Sequence, residues 1–184
     1  PLLAAFNRTE GFSRETTLDG LAAVARNDPK DYALLRWLQE NAETGDVIFE
    51  ATGRRWNAGT GAGPVIVSAG VDYSDAGRMA ARSGLQTPIG WYFHEIQWRG
   101  DTAANRAEFS RRQNLVDAAY TSRDPEEVIA AMRTFEARYL VVGTLEMASY
   151  PGLLPDYAAF LDTVYEAGAY RIYAIPEYRR VATS

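Results

Sequence analysis

The chain has 184 residues, 47% of them hydrophobic, which suits one compact domain with a full core. Its 24 acidic and 19 basic side chains leave a formal net charge of -5, so it has no general attraction for a phosphate backbone and nucleic acid is not an expected partner. With no cysteine and one histidine, a disulfide framework and a thiolate metal site are excluded, and neither a metal nor a cofactor is expected.

No uninterrupted apolar run approaches the length that spans a bilayer, and the opening residues 1–6 are too short and uncharged for a signal peptide. Residues 1–27 mix Gly, Thr, Ser and Arg without a sustained period and read as an N-terminal arm, although Leu18, Leu21, Ala22, Val24 and Ala25 are spaced for a turn or two of helix. Residues 28–184 read as a single α/β domain. Asp28-Pro29 is a helix start, an Asp whose side chain takes an orphan N–H followed by a Pro whose missing donor costs nothing. Tyr32, Leu35, Leu38 and Ala42 then predict a helix over 29–43, with Leu34 and Trp37 widening its apolar stripe and Gly45 as the stop. Residues 46–51 follow as a short apolar run of the kind buried on both faces in a parallel sheet, and predict a central strand.

A Gly-rich insertion occupies about 52–64 and leads into a second β-rich run, 65–68. The spacing of Gly59, Gly61 and Gly63 lacks the Lys-Ser/Thr pair and the directly following helix of a phosphate loop, so it reads as a mobile loop or a hairpin tip. Ser74-Asp75 can cap a short helix through Arg82, ended by Gly84, with Met79 and Ala80 as packing residues. Residues 85–91 read as another strand, with Pro88 arguing against a central place in the sheet. Residues 90–101 then crowd two tryptophans and the only histidine among charged and amide side chains, at the strand end where ligands gather in open α/β sheets.

Residues 102–117 predict a helix largely exposed to solvent, and 118–122 a weak strand. Asp124-Pro125 repeats the helix-start signal, with Glu126 and Glu127 in a first turn where the helix dipole favours them. Val128, Ile129, Met132 and Phe135 form the stripe of a helix docked on a sheet, and 139–143 is the matching buried strand. A loop to Pro155, a short helix over 156–161 and two alternating runs, 164–167 and 170–175, close the chain, the last two as a hairpin about Gly168-Ala169. The expected fold is a layered, Rossmann-like α/β domain with a mainly parallel sheet, helices on both faces and a C-terminal antiparallel hairpin.

His94 with Glu95 suits a general acid/base pair or part of a metal site, and equally a loop histidine that only satisfies hydrogen bonds. Trp91, Tyr92 and Trp98 suit a platform for a sugar ring, with Glu95, Gln97, Arg99 and Asp101 as hydrogen-bonding neighbours; filling the core is the competing reading, favoured for Trp91. Arg78 is a candidate second wall of the same site or a solvated helix arginine, and Glu50 ends a strand at the same sheet edge. Arg99 and Asp101 hold an anionic group or pair with each other. Tyr32, Trp37, Met132 and Phe135 read as core, and Arg106, Arg111 and Arg112 as a solvated helix face.

The segments Thr17 to Ala22, Val47 to Ala51, Tyr73-Ser74 with Arg78, Gly84 to Pro88, Gly90-Trp91, His94-Glu95 and Gln97 to Gly100 carry a resemblance that runs on through Tyr120 to Ser122, Tyr139 to Gly143 with Glu146, and Val164 to Glu166. In these pieces the chain resembles the Chlor-Arch YYY family of multi-spanning membrane proteins, which look like C-type membrane glycosyltransferases. The resemblance implies a non-spanning domain on the extracytoplasmic face, with the membrane domain of the same polypeptide as partner and a sugar or lipid-linked sugar as ligand. It places the catalytic carboxylate in the membrane part, and the residues read above as candidates for binding are Arg78, Trp91, His94, Glu95, Gln97, Trp98 and Arg99. The long insertion between Ala51 and Tyr73 departs from the family's spacing. The rival readings are a stand-alone α/β enzyme using His94, Glu95 and Arg99, and a structural module without a ligand.

Overall fold

The computed structural model describes residues 19–176 apart from residues 62 and 71, so most of the N-terminal arm lies outside the described residues. From Ala22 the chain forms helix α1 (Ala22–Asn27), then α2 (Pro29–Asn41), where the Asp28 carboxylate accepts the Asp31 N–H as the Asp-Pro signal predicts. The second Asp-Pro signal starts a later helix, Pro125–Thr134, in the same way, with Asp124 accepting the Glu126 N–H.

The main sheet contains β1 (Val47–Phe49), β4 (Ala137–Val142), β5 (Asp162–Ala167) and β6 (Tyr170–Ala174), in the order β1-β4-β6-β5. Successive residues of a strand face opposite sides, and the core divides accordingly. Ile48, Tyr139, Val141 and Ile172 pack with Leu34, Leu35, Leu38 and Met79. Phe49, Leu140, Val142 and Tyr173 pack with Val116, Ala119, Tyr120, Val128 and Met132. Each fully buried side chain of this size contributes roughly 1.5–3 kcal/mol, so the two clusters hold the helices to both faces.

The sheet is mixed, not mainly parallel: β1 and β4 run parallel, while β4–β6 and β5–β6 are antiparallel. The closing hairpin is responsible, since its second strand docks directly on β4. The strand expected to be central, β1, lies at the edge. Beyond it, among the described residues, is only an isolated bridge to Gln86, whose carbonyl accepts the Ile48 N–H. Residues 85–91 therefore form no strand, because Pro88 offers no N–H to continue a ladder past that bridge.

The Gly-rich insertion is a hairpin, β2 (Arg55–Asn57) against β3 (Val65–Ser68), separate from the main sheet. Helix α3 (Arg78–Ser83) begins after Gly77, not at a Ser74-Asp75 cap, and ends at Gly84 as expected. Residues Tyr92–Arg99 form α4. The following helix, α5 (Ala103–Thr121), continues through the expected weak strand, because Val116, Ala119 and Tyr120 extend a buried face begun by Phe109. It is correspondingly less exposed than its sequence suggests. Helix α6 is Pro125–Thr134; α7 (Thr144–Ser149) replaces part of the expected loop, and a single 3-10 turn, Tyr157–Ala159, stands for the last short helix. Among the described residues no helix is long and apolar enough to cross a membrane.

Candidate ligand cleft

Helices α3 and α4, with the connections before each, enclose a cleft of about 450 Å3. The stretch that the sequence placed in a strand-end loop is helical: Trp91 is its N-cap residue, and Trp91, His94, Glu95 and Trp98 recur at helical spacing along the wall of the cleft. Arg78, Arg82 and Asp75 contribute from the opposite side. Arg78, Trp91, His94, Glu95 and Trp98 thus border one cleft. Gln97 and Arg99 do not: both are exposed, and Arg99 reaches back to Glu95 at 2.7 Å, an i,i+4 pair. Asp101 pairs with Arg106, not with Arg99.

His94 is held from several sides in the α4 wall. Its Nδ1 lies 2.6 Å from Asp72, whose other carboxylate oxygen accepts the Phe93 N–H at 3.3 Å. A carboxylate only accepts, so Nδ1 carries a proton toward Asp72, while Nε2 shares a hydrogen bond with the Tyr73 hydroxyl at 3.1 Å. The imidazole also meets the rings of Tyr73, Trp91 and Trp98 edge-on, at centroid distances of 4.7, 5.2 and 5.5 Å. Trp91 is half-buried and donates its indole N–H to the Ser74 carbonyl, whereas Trp98 is 77% exposed. Neither tryptophan is therefore a core residue, which corrects the reading favoured for Trp91. Asp72 is the partner of His94 that sequence reasoning missed; Tyr73, next to it, holds φ +58, an uncommon backbone state for a non-glycine residue.

Arg78 is neither a free wall nor a solvated helix residue. Its guanidinium binds Asp31 at 2.6 and 3.0 Å and Glu146 at 3.1 and 2.9 Å, with Glu50 3.8 Å away, and all four side chains are buried. Burial would lower its pKa, but the Glu146 and Asp31 carboxylates outweigh that and raise it well above the ordinary arginine value. Burial likewise opposes the Glu146 charge, yet Arg78 and the N–H groups of Ala51 and Gly143 hold that carboxyl below its usual value. Glu50 is the surplus carboxyl, and burial pushes it up to about 7 against the pull of Arg78. It accepts the Met79 and Ala80 N–H groups, both at 2.9 Å, so it anchors α3 to β1 and does not face the crevice.

A second buried cluster fixes the hairpin base. Asp117 receives Arg54 at 2.6 Å, the Thr52 hydroxyl at 2.9 Å and the Tyr150 hydroxyl at 2.5 Å, and burial raises its carboxyl despite these partners. Among the described residues no group of three or more metal-ligating side chains is placed to hold an ion. Comparison with protein-family models, with curated proteins and with solved structures finds no match.

Proposed function

We propose that this chain is the extracytoplasmic, non-spanning domain of a multi-spanning membrane protein of the Chlor-Arch YYY type, in which it helps recognise a sugar or lipid-linked sugar while the membrane part performs transfer. The observation that carries the recognition role is the cleft wall, where Trp91 and Trp98 flank His94 beside the Glu95 carboxylate. Aromatic faces supply apolar area to a sugar ring, and a volume of about 450 Å3 is in the range of small-ligand sites. The exposed Trp98 is costly to leave bare in water and becomes useful when a ring covers it. In this reading the parallel β1–β4 pair supports a Rossmann-like description of the layers, and the location and the membrane partner follow from the resemblance.

Tryptophan fluorescence tests the recognition role. Methyl glycosides of glucose, galactose and mannose and a short-chain polyprenyl-phosphate mannose are titrated into the 184-residue chain. Saturable quenching by at least one of them, weakened fivefold or more by Trp98→Ala, is the expected result. No saturable response to any of these ligands overturns it.

One observation favours a second reading, a stand-alone hydrolytic enzyme: Asp72 orients His94 as it would orient a general base. In that case Glu95 and Arg99 act only on each other. Hydrolysis of activated esters or glycosides that disappears in His94→Ala supports this alternative, and a rate equal to the buffer blank ends it.

A further inference from the structure

Residues 56–71 contain no charged side chain, although 23% of the chain is charged. Within this stretch β3 exposes Val65, Ile66 and Val67 by 46, 45 and 55%. Adjacent strand residues point to opposite faces, so both faces of β3 are apolar and open. A docking protein covers one face of a strand and leaves the other in water. A lipid layer surrounds both, and β3 has the composition that such surroundings favour.

The hairpin is anchored to the body on its β2 side, where half-buried Trp56 packs against the core, and β3 is the open strand. Its base is fixed by the buried Arg54–Asp117 pair and by Arg54 donating to Asn114. Charge is confined to that end: the exposed Arg55 opens β2, opposite Ser68, while glycines and Pro64 form the far end. Gly53 at the base abuts Gly70, Ser74 and Ala76, so the hairpin leaves the body beside the cleft. Among the described residues the other exposed large apolar side chains are Tyr73, Phe93, Trp98 and Val164; the rings of Tyr73 and Trp98 pack on His94, and Phe93 lies next to it in α4. Aromatic side chains of this kind concentrate where a membrane meets water.

We propose that the β2–β3 hairpin is an interfacial membrane wedge, whose Val65, Ile66 and Val67 enter the outer hydrocarbon of a bilayer and bring the mouth of the cleft to the lipid surface. The chain's net charge of -5 gives anionic lipid no general hold on it, so insertion is driven by apolar burial. Binding is accordingly as strong on neutral lipid as on anionic lipid and persists in high salt.

Flotation of the 184-residue chain with vesicles of phosphatidylcholine, and of phosphatidylcholine with phosphatidylglycerol, at low and high salt, is the test. The expected result is partition onto both, reduced roughly tenfold or more by the combined substitution Val65→Ser, Ile66→Ser and Val67→Ser. Because the three side chains are exposed, the variant retains the parent's unfolding midpoint. The chain has no cysteine, so Ile66→Cys labels one position with an environment-sensitive dye. Its emission shifts to the blue when phosphatidylcholine vesicles are added. Absence of flotation overturns the wedge, as does flotation that survives the triple substitution or is abolished by salt. A lipid-free dimer that buries the dye at position 66 overturns it in favour of a second copy. The wedge does not rest on sugar recognition: loss of flotation with glycoside binding intact refutes the wedge alone.

Discussion

Gly143 closes β4 against the guanidinium of Arg78, and the space there has no room for a methyl group. A Cβ at this position would lie 2.3 Å from the Asp31 carboxylate, 2.9 Å from Leu34 and 3.0 Å from Arg78. Gly143→Ala must therefore displace a buried ion pair, and overpacking together with a disturbed buried charge costs about 2–4 kcal/mol. Urea unfolding measures this, and a loss under about 0.5 kcal/mol would show that the pair yields freely. Asp72 has a subtler role, since it orients the ring of a side chain that faces the cleft. Asp72→Ala is expected to weaken glycoside binding several-fold while changing stability by no more than about 1 kcal/mol; unchanged binding in the fluorescence titration removes Asp72 from the site. The sequence shows Arg78, Glu50 and Glu146 as individual polar residues near predicted strand and helix ends. It does not show that they meet Asp31, because that cluster joins four separate elements. Asp72 is harder still to find: it belongs to no periodic pattern and becomes informative only when α4 brings His94 to it.

At the scale of elements, both Asp-Pro helices and the closing hairpin were legible because their determinants are local: a side chain that caps, a proline that lacks a donor, and a Gly-containing turn. Helix α4 was not, since its apolar and aromatic residues also suit a strand end. The spacing of Glu95 and Arg99 was the available clue, an i,i+4 ion pair that only a helix makes. Strand direction was illegible for a different reason. Whether β4 is flanked by parallel or antiparallel neighbours depends on where the distant 162–174 hairpin docks, which no local pattern encodes. The β2–β3 hairpin gives the sharpest test at this scale, because the one buried charge pair at its base, Arg54–Asp117, is central to its anchor. Asp117→Ala strands the Arg54 guanidinium and removes the acceptor for Thr52 and Tyr150, with an expected cost of about 3 kcal/mol. Hydrogen exchange should show β2 and β3 losing protection beyond that of β4; equal losses would mean that the hairpin is not separately anchored.

The two buried clusters also set how the whole molecule responds to pH. Glu50 is raised by burial from 4.5 to about 7, so the folded state holds a proton that the unfolded chain releases between those values. Its contribution is full below about pH 4.5 and is lost as pH rises through about 7, with Asp117 acting in the same direction. Glu146 opposes them: its carboxyl is held low by Arg78 and by backbone N–H groups despite burial, and that contribution is lost as pH falls below the ordinary value of 4.5. Stability is therefore greatest in mildly acidic solution and declines toward alkaline pH, the Glu50 part by an order of magnitude of about 3 kcal/mol for a shift of this size. Glu50→Gln separates the two limbs. An amide has no proton to release, so the variant is expected to lose at least half of the decline between about pH 5 and pH 8 while keeping the acid limb that belongs to Glu146. Urea midpoints across that range decide it: parallel profiles for the two proteins would show that Glu50 is already ionised in the folded chain, and that Arg78 is shared among three charges instead of two.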